Sequence, residues 1–236
     1  MSVYSNNFNT SHDTHQIINR CLPVSREYEP LNWINKSSQF NYPGLVRIRT
    51  IGDGSCFFHA IANAYFTPYK LGILDGLPLD RTEFIRNLRR DLSIKLGERV
   101  NPSDPNSKRY YDLLSRGQLQ EFSKGVPKYT LENMQRELNS DAPVDNVYNE
   151  FISNILDKDI YMLNLETHDV YVFGKDDDIL YKNRPSIILI TMPGHYELVG
   201  LQTHSGIQTL FNPDDDLILY IRRRMSQLIS LGSNNR

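Results

Sequence analysis

The sequence predicts an α/β (α+β) fold, and three observations carry that prediction. Stretches with apolar residues at helical spacing recur from Cys56 up to Lys158. Alternating or continuously apolar runs rich in Ile, Leu and Val follow it. No Pro-, Gly- or Ser-rich linker separates the two regions, so they belong to one layered unit. At 236 residues the chain is long enough to bury a sizeable core. The domain reading is a polar, partly disordered segment over 1–30, followed by a single domain over 31–236.

The elements follow in order. After the Ser-, Asn-, Thr- and His-rich start, Pro43-Gly44 forms a turn and Leu45-Val46-Arg47-Ile48-Arg49 a short strand or extended arm. Gly52-Asp53-Gly54-Ser55 is a second turn. The apolar, glycine-free stretch after it predicts a buried central helix that Cys56 opens. A second helix fits 81–96, with Asp80 as N-cap, Glu83 three residues on, and Phe84, Leu88, Leu92 and Leu96 on one stripe. Further helices are expected over 108–122, 130–139 and 146–157. Strands are expected over 160–165, 170–173, 186–192, 195–201 and 207–211, with Pro193-Gly194 as a tight turn between two of them. A last helix spans about 213–231, with Asp214, Asp215 and Asp216 at its start and Arg222, Arg223 and Arg224 past its middle, a polarity that suits the helix dipole.

Composition excludes several functions. With 26 Lys+Arg against 28 Asp+Glu, a net charge of −2 argues against a nucleic-acid or membrane-surface binder, the triple arginine being the one basic cluster. Two cysteines, Cys21 and Cys56, make neither a disulfide framework nor a four-thiolate zinc site. No apolar run is long enough to span a bilayer, and no signal peptide opens the chain. The expected setting is therefore a reducing compartment, the cytoplasm.

Cys56 is the first candidate for chemistry. A lone cysteine is by default a buried core residue, and it is the turn before it that changes the reading. A helix N-terminus and a basic partner lower a thiol's pKa from about 8.5 to roughly 3.5–7.5, and the thiolate is the nucleophile. The Gly-Asp-Gly-Ser turn supplies backbone N–H groups for an oxyanion, and Gly54 lets a substrate backbone approach closely. His195 is the second candidate, held after the Pro193-Gly194 turn at the mouth of a strand. Strand alternation puts His195, Glu197 and Val199 on one face and Tyr196 and Leu198 on the other. Glu197 is thus placed to accept from one imidazole nitrogen while the other serves Cys56, the logic of a cysteine-histidine-carboxylate triad. His59, on the apolar helix, reads as a core histidine. His12 and His15 lie in the polar start, His168 and His204 in loops, and Cys21 reads as incidental.

Asp53-Gly54-Ser55-Cys56-Phe57-Phe58-His59-Ala60, with Gly194-His195-Tyr196-Glu197 far along the chain, resembles the two signature blocks of the ovarian tumour (OTU) family of deubiquitinating cysteine proteases. The resemblance reaches from about Leu45 to Phe211. It implies a papain-like fold, a small central sheet flanked by helices with the nucleophile opening the central helix. It also implies hydrolysis of the isopeptide bond after ubiquitin's C-terminal glycine through a cysteine thioester. Cys56 would be nucleophile and His195 base and then acid. The backbone amides around Asp53, Gly54 and Cys56 would form the oxyanion hole. The His59 position is a usual, non-catalytic companion of the motif. The family commonly has Asp or Asn where this chain has Glu197, and some members take the orienting carboxylate from upstream, which keeps Glu27 and Glu29 open. Ubiquitin and polyubiquitin chains, with other ubiquitin-like modifiers, are the implied partners of a monomer; no cofactor or metal is implied. The alternatives are a ubiquitin-binding module that does not cut, and a papain-like amidase or acyltransferase on a small molecule.

Overall fold

The computed structural model describes residues 28–31, 40–173 and 177–234. Among them, one seven-stranded sheet runs in the order β1 (Tyr28–Pro30), β2 (Leu45–Ile48), β8 (His195–Thr203), β7 (Ser186–Met192), β5 (Asp159–Asn164) and β6 (Asp169–Val170). Strand β9 (Gly206–Gln208) pairs with the far end of β8, and β3 (Ile73–Leu74) and β4 (Leu77–Pro78) form a separate hairpin. Neighbours in the sheet are antiparallel except β5 and β7, which run parallel with Asp159 opposite Ser186. The helices are α1 (Cys56–Tyr65), α2 (Thr67–Leu71), α3 (Arg81–Gly97), α4 (Tyr110–Leu113), α5 (Leu119–Gly125), α6 (Leu131–Leu138), α7 (Tyr148–Leu156), the short α8 (Asp177–Leu180) and α9 (Asp216–Asn234). The α/β class expected from the sequence is what folds, with Cys56 at the start of a buried helix.

Both faces of the sheet are covered, which the strand sequences require. Ile160, Met162, Ile187, Leu189 and Leu198 pack into one core with α1, α3, α6 and α7. Their strand neighbours Tyr161, Leu163, Ile188, Ile190 and Val199 pack into a second core with Phe40, Phe211 and the Leu217, Ile218, Ile221 and Met225 stripe of α9. Successive strand side chains point to opposite faces, so the continuous apolar run of β7 needs a layer on each side. Helix α3 begins where expected: the Asp80 carboxylate accepts from the Glu83 amide at 3.0 Å.

Several expectations change. The helix expected over 108–122 is broken into α4 and α5 by a 3₁₀ turn at Leu114–Gly117. Ser115 and Arg116 there have φ of 51° and 56°, and the Ser115 amide donates to Glu150 Oε2 at 2.8 Å instead of to a helical carbonyl. The strand expected over 170–173 shortens to β6, and that expected over 207–211 to β9, with Phe211 making an isolated bridge to Ser186. The last helix starts at Asp216 because the Asp215 carboxylate is used in the turn before it, accepting from the Asn212 amide at 2.9 Å. Two of the three arginines are engaged within the fold: Arg224 pairs with Asp169 at 2.6 Å, and Arg222 donates to Asn183 Oδ1 at 2.6 Å. Strand β1, the α2 helix and the β3–β4 hairpin are elements that the sequence pattern does not announce. Tyr28–Pro30, expected to belong to the polar start, pairs with β2. Among the described residues, no helix is long and apolar enough to cross a membrane.

Candidate active site

The turn before α1 is built around a glycine. Gly54 has φ +83°, and a Cβ on it would lie 1.9 Å from the Asp141 carbonyl oxygen, so no other residue fits. Asp53 locks the turn from within. Its Oδ1 accepts from the Ser55 amide at 3.0 Å, and its Oδ2 accepts from His59 Nε2 at 3.0 Å. Burial favours the neutral ring, and with its proton on Nε2 toward Asp53 the Nδ1 accepts from the Tyr69 hydroxyl. The expectation that His59 is a core histidine holds, and its task is visible: it holds Asp53.

A second lock comes from Arg89 on α3, a residue that no sequence motif singles out. Its side chain is 1 % exposed. Nη1 donates to Ser55 Oγ at 2.7 Å and, more distantly, to the Gly54 carbonyl at 3.5 Å. The remaining donors reach the carbonyls of Leu138 at 3.0 Å, Glu137 at 2.9 Å and Ala142 at 2.7 Å. The guanidinium also sits over the Phe58 ring at 4.8 Å.

These contacts fix where Cys56 stands. It is a free thiol at the first position of α1, 3 % exposed. Phe57 meets Tyr196 of β8 edge to face at 5.5 Å, which presses α1 onto that strand. The expectation of a lowered thiol pKa is not met. Burial pushes the Cys56 thiol above its ordinary value, and hydrogen bonds from the backbones of Tyr196, Phe57 and Cys56 itself only partly offset it.

His195 opens β8, half-buried, after the Pro193-Gly194 turn in which Gly194 takes φ +71°. Because the Tyr196 backbone reaches the Cys56 thiol, His195 is the chain neighbour of a residue in contact with the nucleophile. Its Nε2 faces two groups: Thr50 Oγ1 at 3.4 Å and Glu197 Oε1 at 3.7 Å. Glu197 is buried, and its Oε2 is ion-paired with Arg47 Nε at 3.0 Å. Arg47 also holds Glu29 at 2.7 Å, and Glu29 pairs in turn with Arg49. Those two arginines hold the Glu29 carboxyl below its usual range. Glu29 is thus occupied across β1 and β2; Glu27, His12, His15 and Cys21 lie outside the described residues. His168 sits in the turn after β5 and His204 in the turn after β8, each away from the Cys56 helix in sequence and element. Among the described residues, no cluster of three or more His, Cys, Asp or Glu side chains is placed to hold a metal ion.

The Asp53–His59 lock predicts an acid response. Burial raises the Asp53 pKa, but the hydrogen bonds from His59 and the Ser55 amide outweigh it, leaving the carboxyl below its ordinary 3.8. Burial lowers His59 below 6.5 against the opposing pull of Asp53. As the pH falls through 6.5 the unfolded chain takes a proton that folded His59 refuses, so stability drops from that value down to the folded pKa. The Asp53 contribution, present above 3.8, is lost lower still, as the pH falls through its own folded pKa. The urea midpoint should therefore fall between about pH 7.5 and about pH 5.5, and fall less in His59→Gln. Equal slopes for the two proteins would show that His59 is not the group responsible.

No family model and no curated protein sequence matches the chain. Among solved structures it is similar to an ovarian tumour (OTU) domain in complex with ubiquitin, at 16 % identity over 79 % of this chain and 85 % of that one, with a TM-score of 0.49. It is similar also to an OTU deubiquitinase from Wolbachia pipientis (12 % identity, 67 % of this chain, 90 % of that one, TM-score 0.36). A third similar structure is the viral OTU domain protease from Farallon virus (15 % identity, 69 % of this chain, 95 % of that one, TM-score 0.33).

Proposed function

We propose that the chain is a cysteine-type deubiquitinating hydrolase, cleaving the isopeptide bond after ubiquitin's C-terminal glycine. One observation carries the reading. A glycine-dependent turn, locked from two sides, delivers Cys56 to the start of α1 and against the β8 backbone beside His195. The resemblance of Asp53–Ala60 and Gly194–Glu197 to the OTU signature blocks supplies the substrate class. Papain-like chemistry then runs as follows. His195 takes the Cys56 proton, and the sulfur attacks the glycine carbonyl carbon. The backbone amides of Asp53, Gly54 and Cys56 receive the oxyanion. The lysine amine leaves with the proton from His195, and the thioester that remains is hydrolysed by water. A thiol pushed up by burial suits this order, since the nucleophile is formed only as its proton moves to the histidine. Polyubiquitin chains and ubiquitin-like modifiers are the proposed wider substrates, met in a reducing compartment such as the cytosol, where a free thiol survives.

The test is incubation with ubiquitin carrying a cysteine-reactive group at its C-terminus, read by intact mass. A single covalent adduct that is absent in Cys56→Ala supports the reading. No adduct, with Cys56 still alkylated by a small reagent, would point to a small-molecule amidase; no adduct and an inert Cys56 would point to a binder that does not cut.

A further inference from the structure

His195 needs a partner on Nε2 if its Nδ1 is to stay unprotonated and face the thiol, and the two groups within reach are not equivalent. Glu197 Oε1 lies at 3.7 Å, beyond hydrogen-bond length, and its other oxygen, buried without a hydrogen bond, faces the Arg47 charge at 3.0 Å. That pairing neutralises the charge that would have drawn the imidazole toward it. Thr50 Oγ1 lies at 3.4 Å from Nε2, within reach. Its own hydrogen is already spent, donated to the Tyr196 carbonyl at 2.5 Å. A hydroxyl whose proton is committed can only accept from a second partner. In a bond between the two, Nε2 would therefore be the donor.

The register explains how Thr50 comes to be there. In the β2–β8 pairing Arg47 stands opposite Val199 and Ile48 opposite Leu198, so continuing the ladder two residues past β2 brings Thr50 opposite Tyr196. The hydroxyl therefore bonds to the backbone of Tyr196, the residue that follows His195 and whose own backbone reaches the Cys56 thiol. The same register puts Arg47 diagonal to Glu197, the geometry of a cross-strand ion pair.

We infer that Thr50 is the positioning residue of the site, accepting the Nε2 proton of His195, and that Glu197 serves chiefly to tie β8 to β2 through Arg47. The inference rests on the hydrolase reading for its kinetic test, but two of its readouts need no ubiquitin. In the full chain, Thr50→Val should lower kcat on a fluorogenic ubiquitin C-terminal amide by on the order of tenfold with KM little changed. That is far less than the ~10⁴ lost when a serine-protease triad loses its carboxylate function. Thr50→Ser, which keeps the hydroxyl, should restore most of the rate. Glu197→Gln should cost less than Thr50→Val. The pH dependence of iodoacetamide alkylation, read on the Cys56 peptide, should shift in Thr50→Val and not in Thr50→Ser. In the unmutated chain, ¹⁵N NMR of neutral His195 should show the proton on Nε2. A proton on Nδ1, a Thr50→Val alkylation profile equal to wild type, or a Glu197→Gln loss exceeding that of Thr50→Val would each overturn the assignment. If the wild type fails to turn over the ubiquitin substrate, the hydrolase reading fails, while the alkylation and NMR results still decide the role of Thr50.

Discussion

Cys56→Ala and His195→Ala are each expected to lose roughly 10⁴- to 10⁶-fold in turnover of a ubiquitin substrate, and the double variant is expected to be no slower than either. The reason for non-additivity is the state of the thiol. Burial holds Cys56 above its ordinary pKa, so at neutral pH very little thiolate exists until a base takes the proton. Without His195 the sulfur is a poor nucleophile; without the sulfur His195 has nothing to activate. Each loss removes the same step, and the second removes nothing more. The wild-type rate should also rise from acid to neutral pH as the reactive cysteine-histidine pair forms. Removing Sγ at a 3 % exposed position leaves only a small void, so thermal melting of Cys56→Ala should stay close to wild type. Multiplying losses in the double variant, or a rate flat from acid to neutral pH, would mean that the two side chains act independently.

The parts of the site written in contiguous residues are legible in the sequence. Gly54, Cys56 and His59 lie in one stretch, and the turn-then-helix pattern places the thiol at the start of α1. The continuous apolar run of β7 implies a covered sheet. What depends on which strand lies beside which is not legible there. Glu197 is on the expected strand and faces His195 at 3.7 Å, but the β2–β8 register also sets Arg47 beside its carboxylate and brings Thr50 to the same imidazole nitrogen. Nothing at position 50 marks it from the sequence alone. The thiol pKa departs from expectation for a related reason: a helix N-terminus favours the thiolate, but burial among α1, β8 and their aromatics outweighs it, and burial is a tertiary quantity. Arg89 does carry a signal. It falls on the apolar stripe of α3, four residues after Ile85 and three before Leu92, and a charge on a core-facing stripe is rarely idle.

That arginine carries the second large effect. Arg89→Met keeps most of the side chain's volume but strands a set of acceptors that no water easily reaches. One of them, the Leu138 carbonyl, belongs to the last turn of α6, where helical partners are missing, whereas the Glu137 carbonyl keeps the Ser140 amide and hydroxyl. The Ala142 carbonyl and Ser55 Oγ belong to the loop and turn that bracket Gly54. A stranded buried acceptor costs about 1–3 kcal/mol, so the variant should lose about 3 kcal/mol or more of unfolding free energy. Burial depresses the guanidinium pKa, and the charges of Asp141, Asp53 and Glu137 oppose it. The kinetic consequence separates a general loss of stability from a local one. Gly54 meets the Asp141 carbonyl closely, and Arg89 spans the turn and the loop that make that meeting. With the bridge gone the turn can drift from the position that aims the amides at an oxyanion. Turnover per folded molecule should then fall with KM nearly unchanged, at temperatures where circular dichroism shows the variant still native. A variant that melts within a degree or two of wild type, or one destabilised but with full kcat, would show that α6 and the Gly54 turn hold their places without Arg89.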